Sequence, residues 1–318
     1  MKTKLKNKKK HYLITGGLGF IGSAITNRLL KNGYKVSVLD DLSRGKKRRI
    51  VKKSKNLIII NGDIRKIETV KKALSNIDAV IHLAYINGTK YFYTKPTDIL
   101  EIAVKGIVNI IDGCKSKNIK ELYLASSSEV YQTPNKIPTT EKESLKIPDV
   151  YNPRYSYGGG KILTELMGIH YGKKFFNKLI IFRPHNVYGE DMGNEHVVPE
   201  FINRFKKLKN KNFSIQGNGN ETRSFIYIED FVDAFECILK KGKHLEIYNI
   251  GTSEQVSIKN LAYKLSKIFK KKIILKKTKI AKGGTVRRLP DIRKIQRIGF
   301  KQKTKLIRGL EILVEKSI

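Results

Sequence analysis

The chain is short of cysteine, of acid and of long apolar runs, and each shortage excludes something. Cys114 and Cys237 are the only cysteines among 318 residues. They stand far apart in helix-like segments and form no C-x-x-C pair, so neither a disulfide framework nor a zinc site is indicated, and no metal site is expected. A reducing cytoplasm is the expected compartment. Asp and Glu number 28 against 65 Lys and Arg, a formal net charge of +37. The excess is mostly Lys spread along the whole chain, which suits a Lys-biased proteome better than a nucleic-acid surface. Such a charge attracts polyanions non-specifically, but no recognised binding module accompanies it, so no specific nucleic-acid partner is expected. No apolar run approaches membrane-spanning length. The basic opening "MKTKLKNKKK", residues 1–10, is followed by no apolar segment with a small-residue cleavage site. It reads as a solvated tail, with an electrostatic tether to anionic lipid as the alternative.

What the chain does contain is ordinary for a globular body, with 40% hydrophobic residues and length enough for one large core or two unequal lobes sharing one. The runs "HYLITGG", "KVSVLD", "NLIIING", "AVIHLA", "ELYLASS" and "KLIIFRP" are rich in Ile, Leu and Val and alternate with segments of helical spacing. That alternation predicts an α/β fold with a parallel sheet covered on both faces. After about Pro184 it loosens, and a smaller second lobe is expected there. "SFIYIEDFVDAFECILKKG" reads again as strand and amphipathic helix, so the chain is expected to return to the first lobe at about 222–250.

"TGGLGFIG", Thr15 to Gly22, follows the first predicted strand and opens a predicted helix. Gly16, Gly19 and Gly22 allow a tight turn and a close approach of backbone N–H groups to a pyrophosphate, with the helix start at Phe20 and Ile21 aimed at the same anion. A second strand ends in Asp40, at the distance where a carboxylate meets an adenosine ribose. Asp40 should repel a 2′-phosphate and so favour NAD over NADP, a preference that Arg44 tempers; the bland alternative is that Asp40 and Asp41 only cap a loop. "GDI" is expected to bring Asp63 and Ile64 to the adenine edge, and "HLA" to bring Leu83 and Ala84 beside the pyrophosphate. His82 is assigned no chemistry.

Joined by "SSSEVY", "YSYGGGK", "RPHNVYG", "TRSFIYIEDF" and "RRLPDI", these motifs resemble the extended short-chain dehydrogenase/reductase family, in its nucleotide-sugar epimerase and dehydratase branch. The resemblance runs from about His11 to Leu310. It implies a Rossmann-like doubly wound parallel sheet over 11–183, with a smaller α/β substrate-binding lobe from 184–221 and 251–318. Tyr157 and Lys161 are four residues apart, so a helix sets them on one face, where a cation beside a phenol lowers the phenol's pKa. The resemblance implies that Tyr157 exchanges a proton with a sugar hydroxyl, that Lys161 also holds the nicotinamide ribose, and that Ser127 hydrogen-bonds the reacting oxygen. It implies that Asn186, Arg223 and Arg288 contact the nucleotide-diphosphate sugar, and that the protein pairs as a homodimer through two helices per subunit.

Four features depart from the family or stay open. Ala103 stands where Asn is frequent. His185 replaces an apolar or aromatic residue and either reaches the sugar or is packed. Gly158, Gly159 and Gly160 weaken a helix by about 0.8 to 1 kcal/mol each relative to Ala, so either cofactor or sugar comes close there or the helix start is loose. Glu129, two residues past Ser127, is expected by strand periodicity to face the sugar, as a carbon-5 base or as a holder of the loop. The leading expectation is an NAD-dependent UDP-sugar 4-epimerase working through a 4-keto sugar. The alternatives are a 4,6-dehydratase or glucuronate decarboxylase using Glu129, and a non-catalytic NAD-sensing protein.

Overall fold

The computed structural model of this chain describes residues 9–51, 54–278 and 284–316. Of the expected basic tail only Lys9 and Lys10 fall inside the described residues. Seven strands, β1 (His11–Thr15), β2 (Lys35–Asp40), β3 (Leu57–Asn61), β4 (Ala79–His82), β5 (Glu121–Ala125), β6 (Lys178–Pro184) and β7 (Ile247–Ile250), build one sheet in the order β3-β2-β1-β4-β5-β6-β7. Every pairing in it is parallel.

Alternation along each strand sorts the core onto two faces. Tyr12, Ile14, Ile81 and Phe182 point to one cluster, with Ile25 and Leu29 of the helix Phe20–Lys31 and Phe231 and Phe235 of the helix Ile228–Lys241. Leu13, Val80, Leu124 and Ile181 point to the other, with Val70 of the helix Ile67–Ala73 and Ile107 and Ile110 of the helix Ile107–Ser116. Strands buried on both faces carry near-continuous apolar runs, and β1 and β4 are buried throughout. β3 is the sheet's edge, and there Ile58 and Ile59 are exposed.

Ile228–Ile250 brings the chain back onto the sheet, where β7 pairs with β6. A charged clamp fastens this return to the first helix: Arg28 donates to Asp233 at 2.7 Å, Glu236 at 2.5 Å and Glu229 at 3.0 Å, and Asn32 donates to Glu236 at 2.6 Å.

The remaining residues after β6 form short two-stranded pairs, among them Asn212–Gln216 with Ile274–Thr278, and the helices Val197–Lys207, Ile258–Ile268 and Leu306–Glu315. Phe205, Phe213, Leu265 and Leu310 of this part belong to the same apolar cluster as Ile14 and Phe182, so one core runs through both lobes. Among the described residues no helix is long and apolar enough to cross a membrane.

The register sets Thr15 of β1 beside Leu39 of β2 and His82 of β4. The carboxyl ends of these strands therefore lie level, and the sheet order reverses direction between β1 and β4. A crevice opens at that kind of switch point.

Candidate functional site

A cleft of about 1070 Å³ opens at this edge, running from the Gly16–Gly22 turn past Tyr157 and Lys161 to Arg223 and Arg288. Every residue that the sequence marks for cofactor, sugar or chemistry lines it, including Phe20, Ile21, Asp40, Asp63, Ile64, Leu83, Ala84, Ser127, Glu129 and Asn186.

The glycine turn is tight because side chains would not fit. Gly16 has φ +69°, and a Cβ there would lie 2.8 Å from the backbone of Ala84; a Cβ on Gly22 would run into the Gly16 carbonyl. Gly19 caps the helix Phe20–Lys31, and no side chain caps its first turn. The amides of that turn are left to meet an anion. Asp40 accepts from Leu18 N and Leu42 N, each at 3.0 Å, so it both braces the loop and lines the cleft. Burial pushes its pKa up, against those two bonds. Arg44 is engaged elsewhere: its guanidinium donates to the Asn87 carbonyl, lies 3.4 Å from Glu195 and covers the Tyr91 ring at 5.0 Å.

Further along, Asp63 is held by Arg65 at 2.7 Å; burial raises its pKa, but Arg65 outweighs burial and the net shift is downward. Thr15 Oγ1 meets His82 Nδ1 at 2.8 Å and accepts from Leu83 N and Ala84 N at 3.1 and 3.2 Å. Burial drives the His82 pKa down to about 3, so this imidazole is neutral and anchors the loop.

Farther along the cleft, β5 stops at Ala125 and Ser128–Tyr131 is a single 3₁₀ turn. Strand periodicity therefore does not extend to Glu129, which corrects the expectation that it shares a sheet face with Ser127. Ser127 caps the turn, its Oγ accepting from Glu129 N at 3.2 Å. Its hydroxyl also acts on the Tyr157 phenol, whose pKa it draws down. Tyr157 and Lys161 lie on the helix Tyr155–Lys174, both buried. The Tyr157 ring stacks on Phe92 with centroids 4.8 Å apart.

The expected lowering of the phenol is not what the ligand-free site does. Burial holds Tyr157 above its ordinary range, and the nearby Ser127 hydroxyl only partly opposes it. Burial also presses Lys161 down to about 7, against the pull of Glu165. Its Nζ donates to the Ala125 carbonyl at 2.7 Å, lies 3.8 Å from the centre of the Tyr85 ring, and is 5.9 Å from the centre of the Tyr157 ring. A desolvated ammonium at that distance does not outweigh the phenol's own burial.

Glu129 is clamped. Arg288 donates to both of its carboxylate oxygens at 2.6 Å, Thr285 accepts from the same guanidinium at 2.7 Å, and Arg154 lies 3.8 Å away. Burial alone would raise the Glu129 pKa, but Arg288, Arg154 and Arg223 together bring it down to about 2. Arg223 donates to the Thr222 carbonyl at 2.8 Å, and burial lowers it to about 9. Asn186 has φ 37° and donates to the Ser224 carbonyl at 3.0 Å. Arg287 is exposed where Arg288 is buried. His185 is packed: it is buried at 1% exposure, meets Asn249 Oδ1 at 3.3 Å and does not line the cleft.

The three glycines fit a third account. A Cβ on Gly158 would lie 2.7 Å from Gln132 Nε2 and 3.1 Å from the Glu129 carbonyl, one on Gly159 would meet Ile147 at 3.3 Å, and one on Gly160 would strike the Tyr85 hydroxyl. The protein's own segments come close there, and the helix is regular through all three. Tyr85, Phe92 and Arg154 were not singled out in the sequence. An aromatic right after "HLA" and an arginine three residues before Tyr157 were the available signals.

The sequence pattern of the NAD dependent epimerase/dehydratase family matches residues 12–251. A Methanocaldococcus jannaschii protein that carries the provisional name UDP-glucose 4-epimerase is 33% identical over 309 residues, covering 95% of this chain and 96% of its own length. A UDP-N-acetyl-alpha-D-glucosaminuronate decarboxylase of Bacillus cytotoxicus is 32% identical over 259 residues, covering 80% of this chain and 78% of its own. Among solved structures, a UDP-glucose 4-epimerase of Thermotoga maritima with UDP-glucose is similar at a TM-score of 0.86 and 26% identity, with 96% of this chain and 97% of that one covered.

Proposed function

This chain belongs to the NAD-dependent epimerase/dehydratase family and takes NAD as its cofactor, and from that premise we propose that it is a UDP-sugar 4-epimerase acting through a transient 4-keto sugar. The residues fit the cofactor: a turn whose glycine Cβ positions are already filled by backbone, an uncapped helix start, and a carboxylate at the end of β2. In this reading Gly16, Gly19, Phe20, Ile21 and Gly22 take the pyrophosphate, Asp40 the adenosine ribose, Asp63 and Ile64 the adenine edge, and Leu83 and Ala84 the middle of the dinucleotide. Asn186 and Arg223 take the nucleotide diphosphate, Arg223 through its planar donor fork, while Arg288, whose fork is closed on Glu129, keeps only its Nε–H for the substrate.

When bound, NAD supplies the hydride acceptor for carbon 4 and a positive ring that favours the Tyr157 phenolate. Tyr157 then removes the proton of the carbon-4 hydroxyl and later returns it, Ser127 hydrogen-bonds the same oxygen throughout, and Lys161 holds the ribose. The observation that carries the epimerase reading is the state of Glu129. Tied by both oxygens to Arg288 and held at about 2, it is a weak base, and abstraction at carbon 5 asks for a stronger one. Epimerisation at carbon 4 needs only Ser127, Tyr157 and Lys161 and room for the keto sugar to present its other face when the hydride returns.

One observation favours a second reading. Arg154, Arg223 and Arg288 surround the single carboxylate of Glu129, and this cationic surplus suits a sugar that itself bears a carboxylate. A 4-keto hexuronate loses carbon dioxide readily, which would make the protein a decarboxylase. Incubation with UDP-, dTDP-, GDP- and CDP-sugars, hexuronates included, followed by mass measurement and product configuration separates the two. Unchanged mass with inverted carbon 4 is expected; loss of 44 mass units, about the mass of carbon dioxide, selects the decarboxylase. Turnover of none of them overturns both. We further propose a homodimer, for which the exposed Leu100, Val104 and Leu166 on adjacent helical segments are support. Sedimentation at micromolar concentration tests it, and a monomer there would overturn it.

A further inference from the structure

Two features left over from the sequence converge on a residue that only the structure brings forward. Ala103 stands where the family often has Asn, Gly160 lies inside a helix that its propensity does not favour, and both meet Tyr85, which follows directly on "HLA". In the structure, the position that a Cβ on Gly160 would take lies 2.7 Å from the Ala103 Cβ and collides with the Tyr85 hydroxyl. Ala103 sits in the wider π-helical turn Ile102–Gly106, between the helices Pro96–Glu101 and Ile107–Ser116. The small residues at 103 and 160 therefore leave a slot between two helical segments, and the hydroxyl end of Tyr85 is seated in it.

The Tyr85 ring meets the catalytic pair. The face of the Tyr85 ring covers the Lys161 ammonium at 3.8 Å from its centre, and its edge meets the Tyr157 ring at 5.2 Å and 87°. The hydroxyl itself is buried with no hydrogen-bond partner, which costs about 1 to 3 kcal/mol. With its hydroxyl unpartnered, what Tyr85 contributes to the site is its ring. One Nζ proton of Lys161 goes to the Ala125 carbonyl and the ring closes another side, so the remaining donor capacity points into the cleft that Lys161 lines.

We propose that Tyr85 is a positioning residue for Lys161: seated in the slot left by Ala103 and Gly160, its ring face fixes the ammonium at the cleft and so sets the affinity for NAD. The proposal rests on the family reading for the role of Lys161, and not on which sugar is turned over. The NAD dissociation constant, measured calorimetrically without sugar, therefore tests it even if no sugar substrate is found.

Tyr85→Phe keeps the ring and removes only the orphaned hydroxyl, so NAD affinity and kcat should stay within about twofold of the parent, and the melting temperature should hold or rise. Tyr85→Leu keeps bulk without the π face, and should weaken NAD binding roughly tenfold, the size of a desolvated cation–π contact, and lower kcat while leaving the KM for sugar unchanged. Gly160→Ala, which deletes no side chain, should push the ring aside and weaken NAD binding similarly; it decides the matter if Tyr85→Leu does not fold. Parent-like NAD affinity in Tyr85→Leu or in Gly160→Ala overturns the proposal. So does a Tyr85→Phe that falls as far as Tyr85→Leu, because the hydroxyl would then matter and the ring face would not.

Discussion

Arg288 holds Glu129 by a two-pronged ion pair, with both N–H···O distances 2.6 Å, across 159 residues of chain. The pair joins the 3₁₀ turn after β5 to the segment 285–288, close enough to Tyr157 for both charges to act on its phenol. Its strength is visible in the carboxylate, whose ordinary range near 4.5 is moved to about 2 despite burial.

Glu129→Gln keeps the shape but leaves a buried guanidinium uncompensated, and should cost roughly 3 kcal/mol of stability by denaturant titration. The folded pKa lies below the unfolded one, so the stabilisation is fully present above about pH 4.5 and drains away as pH falls towards 2. The parent should therefore lose more stability than Glu129→Gln over that interval; parallel acid profiles would contradict the clamp. As a 4-epimerase the variant should retain substantial turnover, with no solvent deuterium at carbon 5 of the product in either protein.

Tyr157→Phe should nearly abolish turnover while changing substrate affinity little, because the phenol handles a proton in transit and contributes little to ground-state binding. The check is kcat against the dissociation constant of the sugar nucleotide. A variant that keeps most of its rate would remove Tyr157 from the chemistry.

Asp40→Ala should weaken NAD binding and narrow the discrimination against NADP, since the repulsion of a 2′-phosphate goes with the carboxylate. Arg44 is already committed to Asn87 and Glu195 and offers the phosphate little help, so the parent should prefer NAD clearly. Titration with both dinucleotides measures this, and equal affinities in the parent would contradict it.

Arg183 and Glu165, each 2% exposed, form a pair at 2.5 Å beneath the site, to which Tyr131 and Ser126 are hydrogen-bonded. Arg183→Met alone should destabilise by about 3 to 5 kcal/mol, because a buried carboxylate is left unpaired. Arg183→Met with Glu165→Met should cost less than the two single changes added together. Additive losses in thermal denaturation would show that the two groups are not coupled.

Much of this was readable beforehand because its causes are local. Six runs rich in Ile, Leu and Val are six of the seven strands, and "TGGLGFIG" forms its turn because a Cβ at Gly22 would meet the chain's own carbonyl. What stayed hidden was set by distant partners. Nothing near Glu129 announces Arg288, and strand periodicity misplaced Glu129 because the strand had already ended at Ala125. The rise of the Tyr157 phenol comes from burial among Phe92 and Tyr85, which sequence spacing does not report. The glycines at 158–160 were noticed as costly, but their reason lies in Gln132, Ile147 and Tyr85, on three other segments.

The clamp of Arg28 bears on how the protein is made. Its partner Glu236 is 208 residues further along, and β7 completes the sheet only after that. At a synthesis rate of about 5 to 20 residues per second, the first helix waits roughly 10 to 40 seconds for the carboxylates that fasten it. During that interval Ile25 and Leu29 lack Phe231 and Phe235 in the core cluster they share, and the nascent chain offers an apolar face to whatever chaperone stands at the tunnel exit. A helix made more than two hundred residues before its partners is thus among the last elements to be secured, and ribosome-bound chains stalled before Ile228 should be far more sensitive to protease within Phe20–Lys31 than chains released after Ile250.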